Sequence, residues 1–170
     1  MLAYLFVVAA VAVRFFPHPW AFTPVGAALL YFGARAPRKR MWIPLALLAA
    51  SDIALNRHYA YPFTADTLVT WAWYAGVILM GGLLRDNARP LRLLGASLAT
   101  SVSFFAVSNL AVWAVWNMYP KTLAGLTACY AAAVPFFRRE VVSDLLFVAV
   151  FFGVAALAEL GSREFARDRA

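Results

Sequence analysis

The chain is poor in the side chains that do most chemistry. Its 170 residues include one cysteine, two histidines and eight acidic groups. The lone cysteine, Cys129, excludes an internal disulfide and any cysteine-based metal cluster. His18 and His58 fall in separate loops, neither at i, i+4 from a second ligand, so they make no metal motif. No metal and no cofactor is expected. Charge is scarce as well: 14% of residues, against roughly a quarter in a soluble domain. What fills the space is apolar, 64% of residues, with a mean hydropathy of +0.74. The few charges are clumped, and the runs between them approach the length of a membrane span, which indicates an integral membrane protein. The runs lack the alternation of a barrel, so the spans are helices. No low-complexity tract or linker is visible. The expectation is an all-α membrane protein, a single transmembrane domain over residues 1–160 with a short charged cytoplasmic tail at 161–170.

A net charge of +7 would ordinarily suggest nucleic acid. Here the basic residues sit in short clusters between apolar runs, where membrane proteins collect Lys and Arg, and nucleic acid is set aside. The opening "MLAYLFVVAAVAVRFF" carries a small-x-small Ala10-Val11-Ala12, yet no Lys or Arg precedes its apolar core and a similar pattern continues downstream. A retained first helix is expected rather than a cleaved signal. The apolar runs fall at about 1–16, 22–34, 41–56, 64–84, 91–117 and 141–160, which predicts a six-helix transmembrane bundle. The first two are short against the ~20 residues of a usual span. "ARAPRKR" carries four basic residues and "RDNARPLR" three, and the two loops share a side. By the positive-inside rule that side, with the N-terminus, is cytoplasmic. The stretches "PHPW", "NRHYAYP" and "NMYPK" then face outward.

The segment "MYPKTLAGLTACYAAAVPFFRRE" (118–140) is apolar enough to enter a membrane and short enough to stop partway. Proline is cheap at a helix start and breaks or kinks a helix further on. Pro120 and Pro135 therefore predict a short outward-side helix at about 121–137, packed over the mouth of the bundle, rather than a seventh span. Under that expectation an impermeant maleimide added from outside labels Cys129.

Polar and aromatic residues share faces at helical spacing. Phe105, Asn109, Trp113 and Trp116 form one such set, and Thr67, Thr70, Trp71 and Tyr74 a second. Asp144, Phe147 and Phe151 form a third, and Ala49, Asp52 and Asn56 a fourth. With His18, Trp20, Tyr59, Tyr61, Tyr119 and Tyr130 they define a candidate outward cavity suited to a flat organic ligand, in which rings stack and a few amides, hydroxyls and carboxylates orient. The substrate-binding candidates are Asp52, Trp71, Tyr74, Asn109, Trp113, Trp116, Tyr119 and Tyr130. The bland alternative for the Trp and Tyr residues is an interfacial belt. A carboxylate near the bilayer centre costs about 2.5–3.5 kcal/mol on insertion scales, which draws attention to Asp52 and Asp144. Their structural alternatives are pairing with Arg57, Lys121 or Arg138, or, for Asp144 in "VSDLL", a place near a helix start. Ser97-x-x-x-Ser101 and Ala149-x-x-x-Gly153 read as helix-packing contacts. No catalytic triad is apparent.

The stretches "FPHPWAFTPVGA", Ser51-Asp52, "SNLAVW" and "YPKTLAGLTACYAAAVPFF" resemble a family of small, uncharacterised bacterial membrane proteins, over roughly residues 14–160. That family is in turn distantly similar in layout to the S-components of energy-coupling-factor vitamin transporters. The resemblance implies six helices, cytoplasmic termini, a ligand pocket near the outward face and an energising module as partner. Two features depart from it. The Ala-x-x-x-Ala motif of S-components that share such a module is absent from the first run, where Ala3, Ala9, Ala10 and Ala12 are never four apart. The loop "YAYPFTADT" lacks the cysteine with which solitary cobalamin S-components ligate cobalt.

The function expected is therefore binding and uptake of a small vitamin-like compound across the bacterial cytoplasmic membrane, with no reaction of its own. The partners are that ligand and the surrounding lipid. The alternatives are a membrane-embedded enzyme acting on a lipid or isoprenoid through Asp52, His58 or Asp144, and a non-catalytic partner of another membrane complex.

Overall fold

The computed structural model describes residues 1–17 and 21–167; the expectations placed on His18 and Trp20 lie outside the described residues. Among the described residues there are six α-helices and no strand. They are α1 (Leu2–Val13), α2 (Val25–Arg35), α3 (Trp42–His58), α4 (Ala65–Gly82), α5 (Pro90–Val115) and α6 (Leu123–Arg167). A single 3-10 turn, Arg38–Arg40, carries the basic cluster between α2 and α3. Three prolines stand where they cost little: Pro24 as the N-cap of α2, Pro44 in the first turn of α3, and Pro90 as the first residue of α5.

α2 is the axis of the fold. Every residue from Val25 to Ala34 is buried, so the helix is enclosed on all sides. Small residues make that enclosure possible, because they let backbones approach closely. A Cβ on Gly33 would fall on the Ile78 carbonyl, and one on Gly81 on the Leu30 carbonyl, so α2 and α4 cross with their main chains in contact. Aromatic rings fill the remaining space: Phe6 of α1 stacks on Phe151 of α6 with centroids 4.1 Å apart, and Tyr31 meets Phe152 edge-on at 5.0 Å. Arg85 closes the end of α2, its Nε donating to the Gly33 carbonyl at 3.0 Å and a terminal nitrogen to that of Ala36. It satisfies carbonyls that the helix leaves free.

The contacts give the topology. Residues 26, 31 and 35 of α2 meet 144, 152 and 159 of α6, so these helices run parallel. Residues 101, 105 and 109 of α5 meet 144, 137 and 129, so α5 and α6 form an antiparallel hairpin. The loops before α2 and between α3 and α4 thus lie at one end of the bundle, and the basic loops at 36–40 and 85–89 at the other.

One expectation is corrected in this frame, and a second is met only in part. The segment 121–137 is not a separate short helix. It is the first part of α6, which continues through Pro135 and "RRE" to Arg167 without a break, 45 residues in all. At 1.5 Å per residue this is about 67 Å of helix. Pro135 is tolerated because its ring costs one backbone hydrogen bond in a helix whose side chains are already held by α5: the Tyr130 hydroxyl donates to the Ala106 carbonyl at 2.6 Å, and Phe105 packs on Phe137 at 4.6 Å. Cys129 faces the same seam, 3% exposed with its Sγ 3.5 Å from the Asn109 carbonyl. The expectation met in part is the bundle of six spans. Among the described residues two helices, α5 and α6, are long and apolar enough to cross a membrane. α1 and α2 have 12 and 11 residues and fall short of that length. Both long helices turn apolar side chains outward, among them Leu91, Leu98, Val102, Leu146, Val150 and Leu157, all exposed.

Candidate functional site

The end of the bundle away from the basic loops holds a cavity of about 790 Å³. It exists because α2 starts low. α5 and α6 continue past the first turn of α2, and the loops on either side border the space above it through Phe16, Pro17, Ala21 and Thr23 and through Tyr59 and Tyr61. The walls are Phe16, Pro17, Tyr59, Tyr61, Trp73, Tyr74 and Phe104, with Leu55, Asn56, Thr23, Ala21, Val25 and Gly26 between them. Three charged side chains reach it: Arg14, Glu140 and Asp144. The volume lies within the ~300–1,000 Å³ typical of small-molecule sites, and apolar walls with few polar groups are their usual lining. Ala21 and Ala60, in these loops, have positive φ of 58° and 54°, a conformation costly for any residue with a Cβ.

Arg14, at the C-terminal end of α1, gathers three helices. It donates to Ser51 Oγ at 2.5 Å and forms an ion pair with Asp52 of α3. The second oxygen of Asp52 accepts the indole N–H of Trp71 on α4 at 2.8 Å. The position favours a cation, since a helix C-terminus carries partial negative charge. Asp52 therefore pairs with Arg14, not with Arg57, Lys121 or Arg138. α3 buries only Pro44, Leu48 and Ser51, so this polar cluster is a main attachment of α3 to the rest.

Asp144 does not stand near the start of its own helix, because α6 begins at Leu123. It stands at the start of another. A Cβ on Gly26 would lie 2.5 Å from Asp144 Oδ1, so only glycine admits the carboxylate against the first turn of α2. That turn precedes the first intrahelical bond, from Ala28 N–H to the Pro24 carbonyl at 2.9 Å, and presents the positive end of the helix dipole. The other carboxylate oxygen accepts from Ser101 Oγ at 2.7 Å, and the neighbouring Ser143 donates to the Thr23 carbonyl at 2.9 Å. Glu140 lies one turn before Asp144 on the same face. The aromatic wall is fixed by Trp73, whose N–H donates to Ser103 Oγ at 3.0 Å and whose ring meets Phe104 at 4.6 Å.

The predicted site residues divide into two groups. Tyr74 lines the cavity, and Asp52 and Trp71 stand behind it in the Arg14 cluster. Asn56, Tyr59, Tyr61 and Asp144, expected in the wider outward cavity, also line it. Asn109, Trp113, Trp116 and Tyr130 belong to the α5–α6 hairpin instead, and with Tyr119 they are not among the cavity walls. The Asn109 amide donates to its own helix at the Phe105 carbonyl, 2.8 Å away. Trp113 donates to the Pro120 carbonyl at 2.9 Å, while Lys121 stands over its ring at 5.7 Å and donates to the Trp116 carbonyl at 2.7 Å. These contacts close the turn between α5 and α6. Arg14, Glu140, Trp73 and Phe104 were the functional candidates missed. Glu140 sat in "RRE", which reads as a loop, and Arg14 was a lone cation beside a run of phenylalanines.

Ser97 and Ser101 are fully buried in the α5 packing face, and Ser97 joins Ala149 and Gly153 in lining a second, smaller groove of about 480 Å³ near Arg35 and Pro90. Among the described residues no group of three or more His, Cys, Asp or Glu is placed to hold a metal. No curated protein and no solved structure matches the chain. A family model does, over residues 1–166: the chain belongs to a family of unknown function, DUF6580.

Proposed function

We propose that the protein is a multi-pass protein of the bacterial cytoplasmic membrane that binds a small, vitamin-like organic compound from outside and takes it up, in the manner of an S-component. The observation that carries this reading is the cavity of about 790 Å³ between Trp73, Phe104, Tyr59 and Asp144. With the basic loops placed inside by the positive-inside rule, the N-terminus is cytoplasmic and the cavity opens outward. The short helices α1 and α2 then sit where the bilayer thins or the bundle shields them. The distant resemblance in layout to S-components, read from the sequence, is what favours uptake. The missing Ala-x-x-x-Ala motif leaves an energising module without its usual seat on α1.

A second reading, a membrane enzyme acting on a lipid or isoprenoid, draws support from the adjacent carboxylates of Glu140 and Asp144, a pairing suited to acid–base work.

The two readings separate in one experiment. Cells producing the wild-type protein or the Trp73→Ala variant are grown in the same rich medium, and the compounds removed from it are surveyed by mass spectrometry. The uptake reading predicts one compound depleted by wild-type cells alone and recovered unchanged inside them. Recovery only as a chemically altered product supports the enzyme, and identical media from both strains contradict both.

A further inference from the structure

Among the described residues, the carboxylates of the cavity have no ion-pair partner. Asp144 is 3% exposed and accepts one hydrogen bond, from Ser101; its other oxygen faces Gly26 and the cavity. Glu140, one turn away on the same wall, has neither an ion pair nor a hydrogen bond among the described residues. Among the described residues of the wall the single cation, Arg14, is already engaged by Asp52 and Ser51. Among the described residues, one neutral hydroxyl and the start of α2 are what offset two acidic groups withdrawn from water. Such groups are costly unless a positive partner completes them. The remaining wall offers what a cation prefers next: the rings of Trp73, Phe104, Tyr59 and Tyr61, whose faces attract positive charge.

We infer that the cavity selects an organic cation, an amine or quaternary ammonium carried on a flat ring, with its positive group at Glu140 and Asp144 and its ring against Trp73 and Phe104. This rests on the binding function proposed above and names its substrate class. Asp144 provides the fixed anchor, held by Ser101 and seated in the space that Gly26 leaves. Glu140, half-buried and unheld, is free to close on the ligand.

The full chain, purified in detergent, is titrated with three probes that share a benzyl ring and differ in charge. These are benzyltrimethylammonium, the neutral benzyl methyl sulfone and the anionic benzylsulfonate. Binding is read from tryptophan fluorescence and from the shift in unfolding temperature. The cation should bind at least about tenfold more tightly than the other two, the weight of one charge-assisted contact. Glu140→Gln and Asp144→Asn should each erase that preference, bringing the cation's affinity to within about twofold of the sulfone's. Glu140→Gln keeps the test valid should Asp144→Asn fail to fold. Equal affinity for all three probes, or a cation preference that survives Glu140→Gln in folded protein, would overturn the inference and leave a binding cavity for uncharged compounds. A folded wild-type protein that binds none of the probes would count against the cation and the binding function together.

Discussion

Arg14 and Asp52 carry more of the architecture than their place in the sequence suggests. Their side chains are 17% and 12% exposed, and the pair joins α1 and α3 while Trp71 adds α4. Removing one member of such a pair strands the other in a poorly solvated site, which costs about 3 kcal/mol. Replacing both by apolar residues of similar volume removes that penalty. Asp52→Ala should therefore lower the unfolding temperature in detergent sharply, and Arg14→Met with Asp52→Leu should restore most of it. A double variant as unstable as Asp52→Ala would show that the polar cluster is needed for something other than charge balance. The acid of this pair was visible in the sequence as an aspartate inside an apolar run. Its partner was not, because Arg14 lies 38 positions away and periodicity reports one helix at a time. Asp144 was legible as an anion suited to a helix start, but the helix is α2, and only the packing of Gly26 against it makes that visible.

At the scale of elements, six apolar runs correspond to six helices, because apolar stretches between clumped charges are a direct signal of buried or lipid-facing helix. The boundary that failed was 138–140. "RRE" reads as a loop, and Pro135 as a stop, whenever hydropathy is the only guide. In the folded chain Glu140 turns into the cavity while Arg138 and Arg139 point outward, so one helix accommodates all three. The consequence is testable with the lone cysteine. Cys129 is buried against α5, whereas Thr127, two residues earlier, is exposed. An impermeant maleimide should label wild-type protein slowly in spheroplasts and label Thr127→Cys, in a Cys129→Ala background, rapidly. Equal rates at the two positions would mean that this part of α6 parts from α5 and behaves as the separate lid that its prolines suggest.

For the whole molecule, the central feature is a central helix too short to fill its bundle. α2 spans 11 residues, about 16 Å at helical rise, and the longer helices around it enclose the space it leaves. That difference in length could be read from the apolar runs, and so could the aromatic richness of the end away from the basic loops. The partition of the aromatics could not: Trp73 and Phe104 wall the cavity while Trp113 and Trp116 close a turn, and a helix face alone does not distinguish the two. The most direct test is native mass spectrometry of the intact protein released from mild detergent. The account predicts one small organic molecule per chain in the wild type, absent from a folded Trp73→Ala, Phe104→Ala double variant. Bare protein in both preparations, or a molecule retained equally by both, would contradict a ligand-binding cavity at this site.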